Sequence, residues 1–430
     1  MRWLLITLML APLVLLPAWG FANQNDVDMR RVELGQLLFY DPIVSGNQEV
    51  SCATCHHPRF GTSDGVSLSL GDGASGLGPD RVADPNNLPE QRLPRNAPAL
   101  FNLGEPEFSV MFHDGRLEAD PSLPRGIRTP LGESMAEGFD SVLAAQAMFP
   151  VLSADEMAGH YSENSIAQAV RMGHLSLPGG AWDQIAERVA TIPAYRVHFD
   201  AVLGEGEPIT FADIGNVIAD FIRFEWRATN SPYDRHLAGE DVLSASQRRG
   251  VELFYGEAGC STCHAGPFQS DHAFHSIAMP QLGPGKAARF ESNARDEGRM
   301  RVTGALEDAY AFRTPSLRNV VHTAPYGHAG AYGTLEAVVR HHLDPVASLY
   351  AYDRRQAVLP ALEGANDWRV MDNPQELSAI AEANDLEPVS LSDDQIADIL
   401  AFLDALTDLG SLDGRLGIPQ TVPSGLPVDR

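Results

Sequence analysis

Cysteine is scarce in this chain, with 4 in 430 residues. All four fall in two short motifs, so none is left for a structural disulfide or a lipid anchor. Basic residues are in deficit as well, with Lys+Arg at 31 against Asp+Glu at 57 and a formal net charge of -26. That balance argues against nucleic acid as a partner, because phosphate backbones are held by clustered Lys and Arg. An acidic surface can instead steer a small redox protein to a docking face. Long apolar runs are missing except at the start, where Trp3 to Ala18 follow Arg2 and Gly20-Phe21-Ala22 precede polar Asn23-Gln24-Asn25-Asp26. The run holds Pro12 and Pro17 and is shorter than the roughly 20 apolar residues of a membrane span. It reads as a secretory signal over residues 1–22, cleaved after Ala22. The mature chain is therefore expected without stable membrane insertion.

The two motifs are Cys52-Ala53-Thr54-Cys55-His56 and Cys260-Ser261-Thr262-Cys263-His264. C-x-x-C-H is the attachment signature of c-type haem: both thiols add to the vinyl groups, and the following histidine binds iron from the proximal side. A zinc ribbon would place its cysteine pairs about 15 to 20 residues apart, far closer than positions 52 and 260. Two covalently bound haem c groups are expected. Such haems are attached outside the cytoplasmic membrane, which makes the periplasm the expected location.

A chain of 430 residues exceeds the roughly 250 to 300 residues at which one core stops growing. The segments before the motifs echo one another, VELGQLLFYD at 32–41 and GVELFYGEAG at 250–259, which suggests a duplicated unit. The fold class expected is all-α, with two cytochrome c-like domains facing each other and long loops. The first covers 23–235, including bridging helices at 182–200 and 210–227, and the second covers 236–430. Gly61 to Pro94 is rich in Gly, Asp, Pro and Asn and reads as a long loop. Residues 139–149 read as a helix stopping at Pro150, and Ser153-Ala154-Asp155-Glu156 fits the capping box of another. Thr334 to Leu343 reads as a helix with Leu335, Val338, Val339 and His342 on one buried face. An amphipathic helix over Ser392 to Leu406 closes the second domain, and 344–390 reads as an irregular insertion.

The strings LGQLLFYDPIVSGNQEVSCATCH, LPRNAPALFN, FHDGR, AAQAMFPVLSADEM, GCSTCHAGPF, FRTPSLRNVVHTAPYGHAG and TLEAVVRHH resemble the bacterial dihaem cytochrome c peroxidase and MauG superfamily. The resemblance implies that the haem on Cys52, Cys55 and His56 meets hydrogen peroxide. It also implies that the haem on Cys260, Cys263 and His264 takes in electrons from a small periplasmic donor. Gln146, Pro150 and Glu156 match the distal residues of the first site. A carboxylate in an enclosed pocket can relay a proton between peroxide oxygens while an amide orients the molecule. Glu156 is also placed to serve the capping box that starts at Ser153, and Gln146 to lie on a helix surface.

The resemblance further implies a distal ligand for the second haem, seventeen residues after the proline of Thr323-Ala324-Pro325, and that position is His342. His341 is the lesser candidate. Methionine is the ligand in the peroxidases and tyrosine in MauG. A calcium ion between the domains is implied on Asn96, Thr323 and Pro325. Between His57 and His113 the chain has no histidine, so the first iron is expected to be open on its distal side. His57 is expected to face solvent. His113 replaces the family's tryptophan in FHDGR, either as part of an inter-haem path or as a structural residue. The leading function is a periplasmic dihaem peroxidase. The alternative is a MauG-like oxidase that uses peroxide on residues of a protein partner, and a third reading is a non-catalytic electron-transfer cytochrome. A homodimer is an option the family allows.

Overall fold

The computed structural model describes residues 27–286 and 291–430; the expected signal segment lies outside them. Helix Met29–Tyr40 starts on Asp28, whose side chain accepts from Arg30 N, and it buries Val32, Leu34, Leu38, Phe39 and Tyr40. Helix Phe211–Glu225, opened by a Thr210–Asp213 capping box, crosses it at Gly35. A Cβ at Gly35 would lie 1.9 Å from Val217 O, so only glycine lets the two backbones meet.

The same device recurs in the second half. Helix Ala245–Phe254 has a Ser244–Gln247 capping box and packs on helix Asp393–Asp404, which has a Ser392–Gln395 box. Their crossing lies at Gly250, where a Cβ would sit 2.0 Å from Asp398 O. The echo between 32–41 and 250–259 is therefore structural. Each copy is a helix running toward a C-x-x-C-H motif and crossed by a later helix at a glycine.

The described residues are mostly helical, as expected, with two two-stranded sheets and one three-stranded sheet. None of their helices is long and apolar enough to cross a membrane. One large buried cluster runs from Val32 to Trp226, and a second gathers Tyr233, Phe254, Met279, Tyr332, Phe402 and Leu406. The end of the chain returns to the first cluster. Val422 belongs to it, with Leu416, Ile418, Leu426 and Val428 packed on it. Buried Glu225 accepts from Leu416 N at 2.8 Å and Gly417 N at 2.7 Å. Buried Asp41 accepts from Tyr195 Oη and from Ser424 Oγ, each at 2.7 Å.

Several elements differ from their sequence reading. The helix expected over 139–149 is the short Val142–Gln146 followed by a 3₁₀ turn, Pro150–Leu152. The expected 182–200 helix is two, Ala181–Ala190 and Pro193–Leu203, divided just before Pro193. Segment 344–390 is not irregular throughout. It carries helices Pro345–Tyr350 and Pro374–Glu382 around a small core of Leu349, Val370, Met371 and Ile380. Loop 61–94 is largely buried. Arg81 donates to Leu70 O, to Gly71 O at 2.6 Å and to Gly76 O at 2.8 Å. A buried guanidinium thus supplies partners that a strand ladder would otherwise provide.

Candidate functional site

The first motif lies on the one-turn helix Cys52–Cys55, held by reciprocal Ser51 and Thr54 bonds. Burial pushes both thiols up to about 12. His56 Nδ1 is 3.0 Å from Thr62 O. In the second motif, His264 Nδ1 is 2.9 Å from Gln269 O. With Nδ1 donating to a carbonyl, each imidazole carries its lone pair on Nε2, the arrangement that prepares a histidine for a metal. Two thiols and one such imidazole in each motif fit haem c.

Helix Leu335–Leu343 brings His342 opposite His264. The ring centroids are 6.4 Å apart at 59°, which leaves room for one metal atom between two nitrogens at bonds of about 2 Å each. His342 Nδ1 is 2.7 Å from Val338 O, again leaving Nε2 for a metal. His341 differs: it is fully buried, with Nδ1 2.8 Å from Tyr332 Oη and Nε2 2.7 Å from Ile277 O. Both of its nitrogens are engaged, so the pair divides into a core residue and a candidate ligand. Val338 and His341 are the buried residues of this helix, and Leu335 and Val339 of the expected stripe pack partly buried against the same core.

Glu156 does not cap a helix. Residues Ala154–Ala158 form a single π-helical turn, and the Ser153 side chain makes no capping bond. The Ser153 carbonyl instead accepts from Glu156 N, Met157 N and Ala158 N. The Glu156 carboxylate is left unused by the turn, and its charge acts on Cys55, Arg116 and Lys286. Gln146 ends its helix with Oε1 buried and unpaired among the described residues. Pro150 starts the 3₁₀ turn that leads toward Glu156.

Two residues near this carboxylate were not singled out from sequence. Arg116 lies over the rings of Phe112 and Phe149, at 4.0 and 5.3 Å, and pairs with Asp114 at 3.3 Å. Lys286 is the sole lysine of the chain, and burial, with Arg116 and Arg95 adding to it, pushes it down to about 8. Both line a cavity of 320 Å³ with Asp114, Arg128 and Arg301. The uniqueness of Lys286 and the arginine of FHDGR were the available signals.

His57 is not solvent-facing. It is 2% exposed, its Nδ1 accepts from Arg59 N at 3.1 Å, and its ring lies 6.3 Å from that of Phe60. Asp429 of the returning tail is its neighbour, and this tail is what covers it. His113 is half-buried, with Nε2 3.1 Å from Asn96 O. Burial, aided by Arg95, pushes its imidazole down to about 4, so it is neutral. Asn96 N in turn donates to His328 O at 2.8 Å, and Asn96 Nδ2 to Val66 O at 2.8 Å. Thr323 packs near Gly61, where a Cβ would meet its Cγ2 at 3.3 Å. Asn96 and Thr323 thus border the same loop, 61–67, and Pro325 follows two residues after Thr323.

Compared with known proteins, residues 29–242 match the family model of di-haem cytochrome c peroxidases. The chain is 32% identical over 324 residues to the methylamine utilization protein MauG of Methylorubrum extorquens, covering 74% of this chain and 70% of that one. It is 29% identical to the cytochrome c551 peroxidase of Pseudomonas aeruginosa, over 71% of this chain and 70% of that one. Among solved structures, a MauG-like protein associated with microbial copper homeostasis aligns with a TM-score of 0.57 and 26% identity, covering 90% of this chain and 92% of that one. The chain therefore belongs to the di-haem cytochrome c peroxidase and MauG family.

Proposed function

We propose that this protein reduces hydrogen peroxide at the haem of its first motif, with electrons passed through the haem of the second from a small periplasmic redox protein. The observation that carries this reading is the asymmetry between the two motifs. His264 faces a second imidazole, His342, at 6.4 Å, whereas the first motif has the Glu156 carboxylate acting on Cys55, and Gln146, ten residues before Glu156, keeps a buried Oε1 without a partner among the described residues. In this reading His56 and His264 are the proximal ligands, and each half of the chain holds one haem. Bound haem supplies a redox-active iron to each site. The Gln146 amide orients peroxide, Pro150 sets the turn between the two polar groups, and the Glu156 carboxylate moves a proton from one peroxide oxygen to the other. His113, neutral and bonded through Asn96 to His328, offers a covalent and hydrogen-bonded route across the junction. Asn96, Thr323 and Pro325 supply the oxygen-only ligands that suit calcium, and the signal over 1–22 directs export to the periplasm.

Reduction of both haems followed by carbon monoxide tests the asymmetry: one haem of the two binds it, and binding by neither or both removes the proposed division. Steady-state peroxide consumption with a reduced small cytochrome c tests the activity. A second reading, an oxidase acting on residues of a protein partner, draws on His342 standing where the peroxidases have methionine. Methionine raises haem potential, so a histidine ligand favours storing oxidising equivalents over drawing electrons from a high-potential donor. The 32% identity to MauG supports the same reading. Negligible turnover with small cytochromes makes it the leading one.

A further inference from the structure

Loop 61–94 and the turn carrying Glu156 meet at side chains for which haem chemistry has no use. Glu90, Asp155 and His160 each place a ligand atom within 4.8 Å of the other two, and His160 Nδ1 lies 3.5 Å from Glu90 Oε1. Asp155 lies in the first half of the π-turn and His160 two residues past its end, and Glu90 comes from the loop. Beside them, Asp72 is 1% exposed. Its Oδ2 accepts from Asn47 Nδ2 at 2.9 Å, and the same amide reaches Glu163 Oε2 at 2.5 Å. Its Oδ1 is buried with no partner among the described residues. Asp72 N donates to Asp155 O at 3.1 Å, and His160 N to Glu163 Oε2 at 2.9 Å, so the two groups are built on one turn of chain.

The charges facing Asp72 are Glu163 and Glu49, opposed by His160; burial and those carboxylates push its carboxyl up to about 6. A buried carboxylate oxygen lacking a partner, among other carboxylates, is a costly arrangement that a cation relieves. We propose that Glu90, Asp155 and His160 bind a divalent transition-metal ion of the zinc type, with Asp72 as the buried anion behind it. One imidazole nitrogen with two carboxylate oxygens suits zinc and its first-row neighbours, whereas calcium takes oxygen ligands. The ion ties loop 61–94 to both ends of the turn that presents Glu156. Its binding does not depend on the role assigned to Glu156.

The test uses the dihaem protein after chelator treatment and dialysis, titrated with Zn²⁺ alone while bound metal is measured by mass spectrometry. The wild type retains a single equivalent, and His160→Gln or Asp155→Asn weakens binding at least about 10-fold. Asn96→Ala, aimed at the separate oxygen-only site, leaves zinc uptake unchanged. Unaltered haem spectra in each variant establish that it folds. Zinc uptake by the Glu90→Gln, Asp155→Asn, His160→Gln triple variant equal to that of wild type overturns the proposal, as does a wild type that retains none.

Discussion

His264 and His342 face each other with ring centroids 6.4 Å apart, while His341, one residue away, is closed on both nitrogens by Tyr332 and Ile277. Two adjacent histidines on one helix thus serve opposite purposes. About 100° of rotation per residue turns one ring into the core and the other toward the second motif.

His342→Met is expected to raise the potential of the second haem, because a methionine axial ligand favours the reduced state. Spectroelectrochemical titration of the two haems checks this. His341→Met, which removes a core hydrogen-bonding residue, should lower stability instead and leave the second haem low-spin.

Glu156→Gln keeps the size of the side chain and removes its ability to relay a proton. Turnover of peroxide should fall about 10² to 10⁴-fold while both haem spectra remain those of wild type. Steady-state kinetics checks this, and unchanged turnover would take Glu156 out of the chemistry.

Arg95 joins the two halves by pairing with Asp296 (Nε–Oδ2 2.6 Å) and Asp114 (Nη1–Oδ2 2.7 Å). Burial pushes the Asp296 carboxyl up, but Arg95 outweighs it and holds the group well below the usual carboxylate range. A carboxylate whose folded pKa is depressed contributes stability that is complete above its unfolded value near 3.9 and is lost as pH falls below it. Asp296→Asn should therefore cost about 3–5 kcal/mol at neutral pH, and the gap to wild type should narrow below about pH 4. Denaturant titrations of both proteins across that range check the sign.

The Asp41–Ser424 contact spans 383 positions of sequence. Ser424→Ala removes one donor from a buried carboxylate and should cost about 1.5–3 kcal/mol. Removing the last residues from Gly414 should cost far more, because it uncovers the core around Val422 and exposes His57. Thermal unfolding followed at the haem absorption bands checks both.

The sequence by itself determined the haem c cofactors and the family: C-x-x-C-H is local chemistry, legible in five residues, and the order of the flanking strings carries the resemblance. It also foretold a duplicated helical unit, since helix periodicity and capping residues act within a few turns of chain. What a residue faces was decided by tertiary structure. His57 reads as a surface residue until the tail covers it, and Glu156 reads as a cap until Ser153 leaves it free in a π-turn. Lys286, the sole lysine, gains its place only when the fold buries it near Arg116. For His57 and Lys286 the partner lies far away in sequence, where neither periodicity nor spacing reaches, and only the packing of distant segments brings the two together.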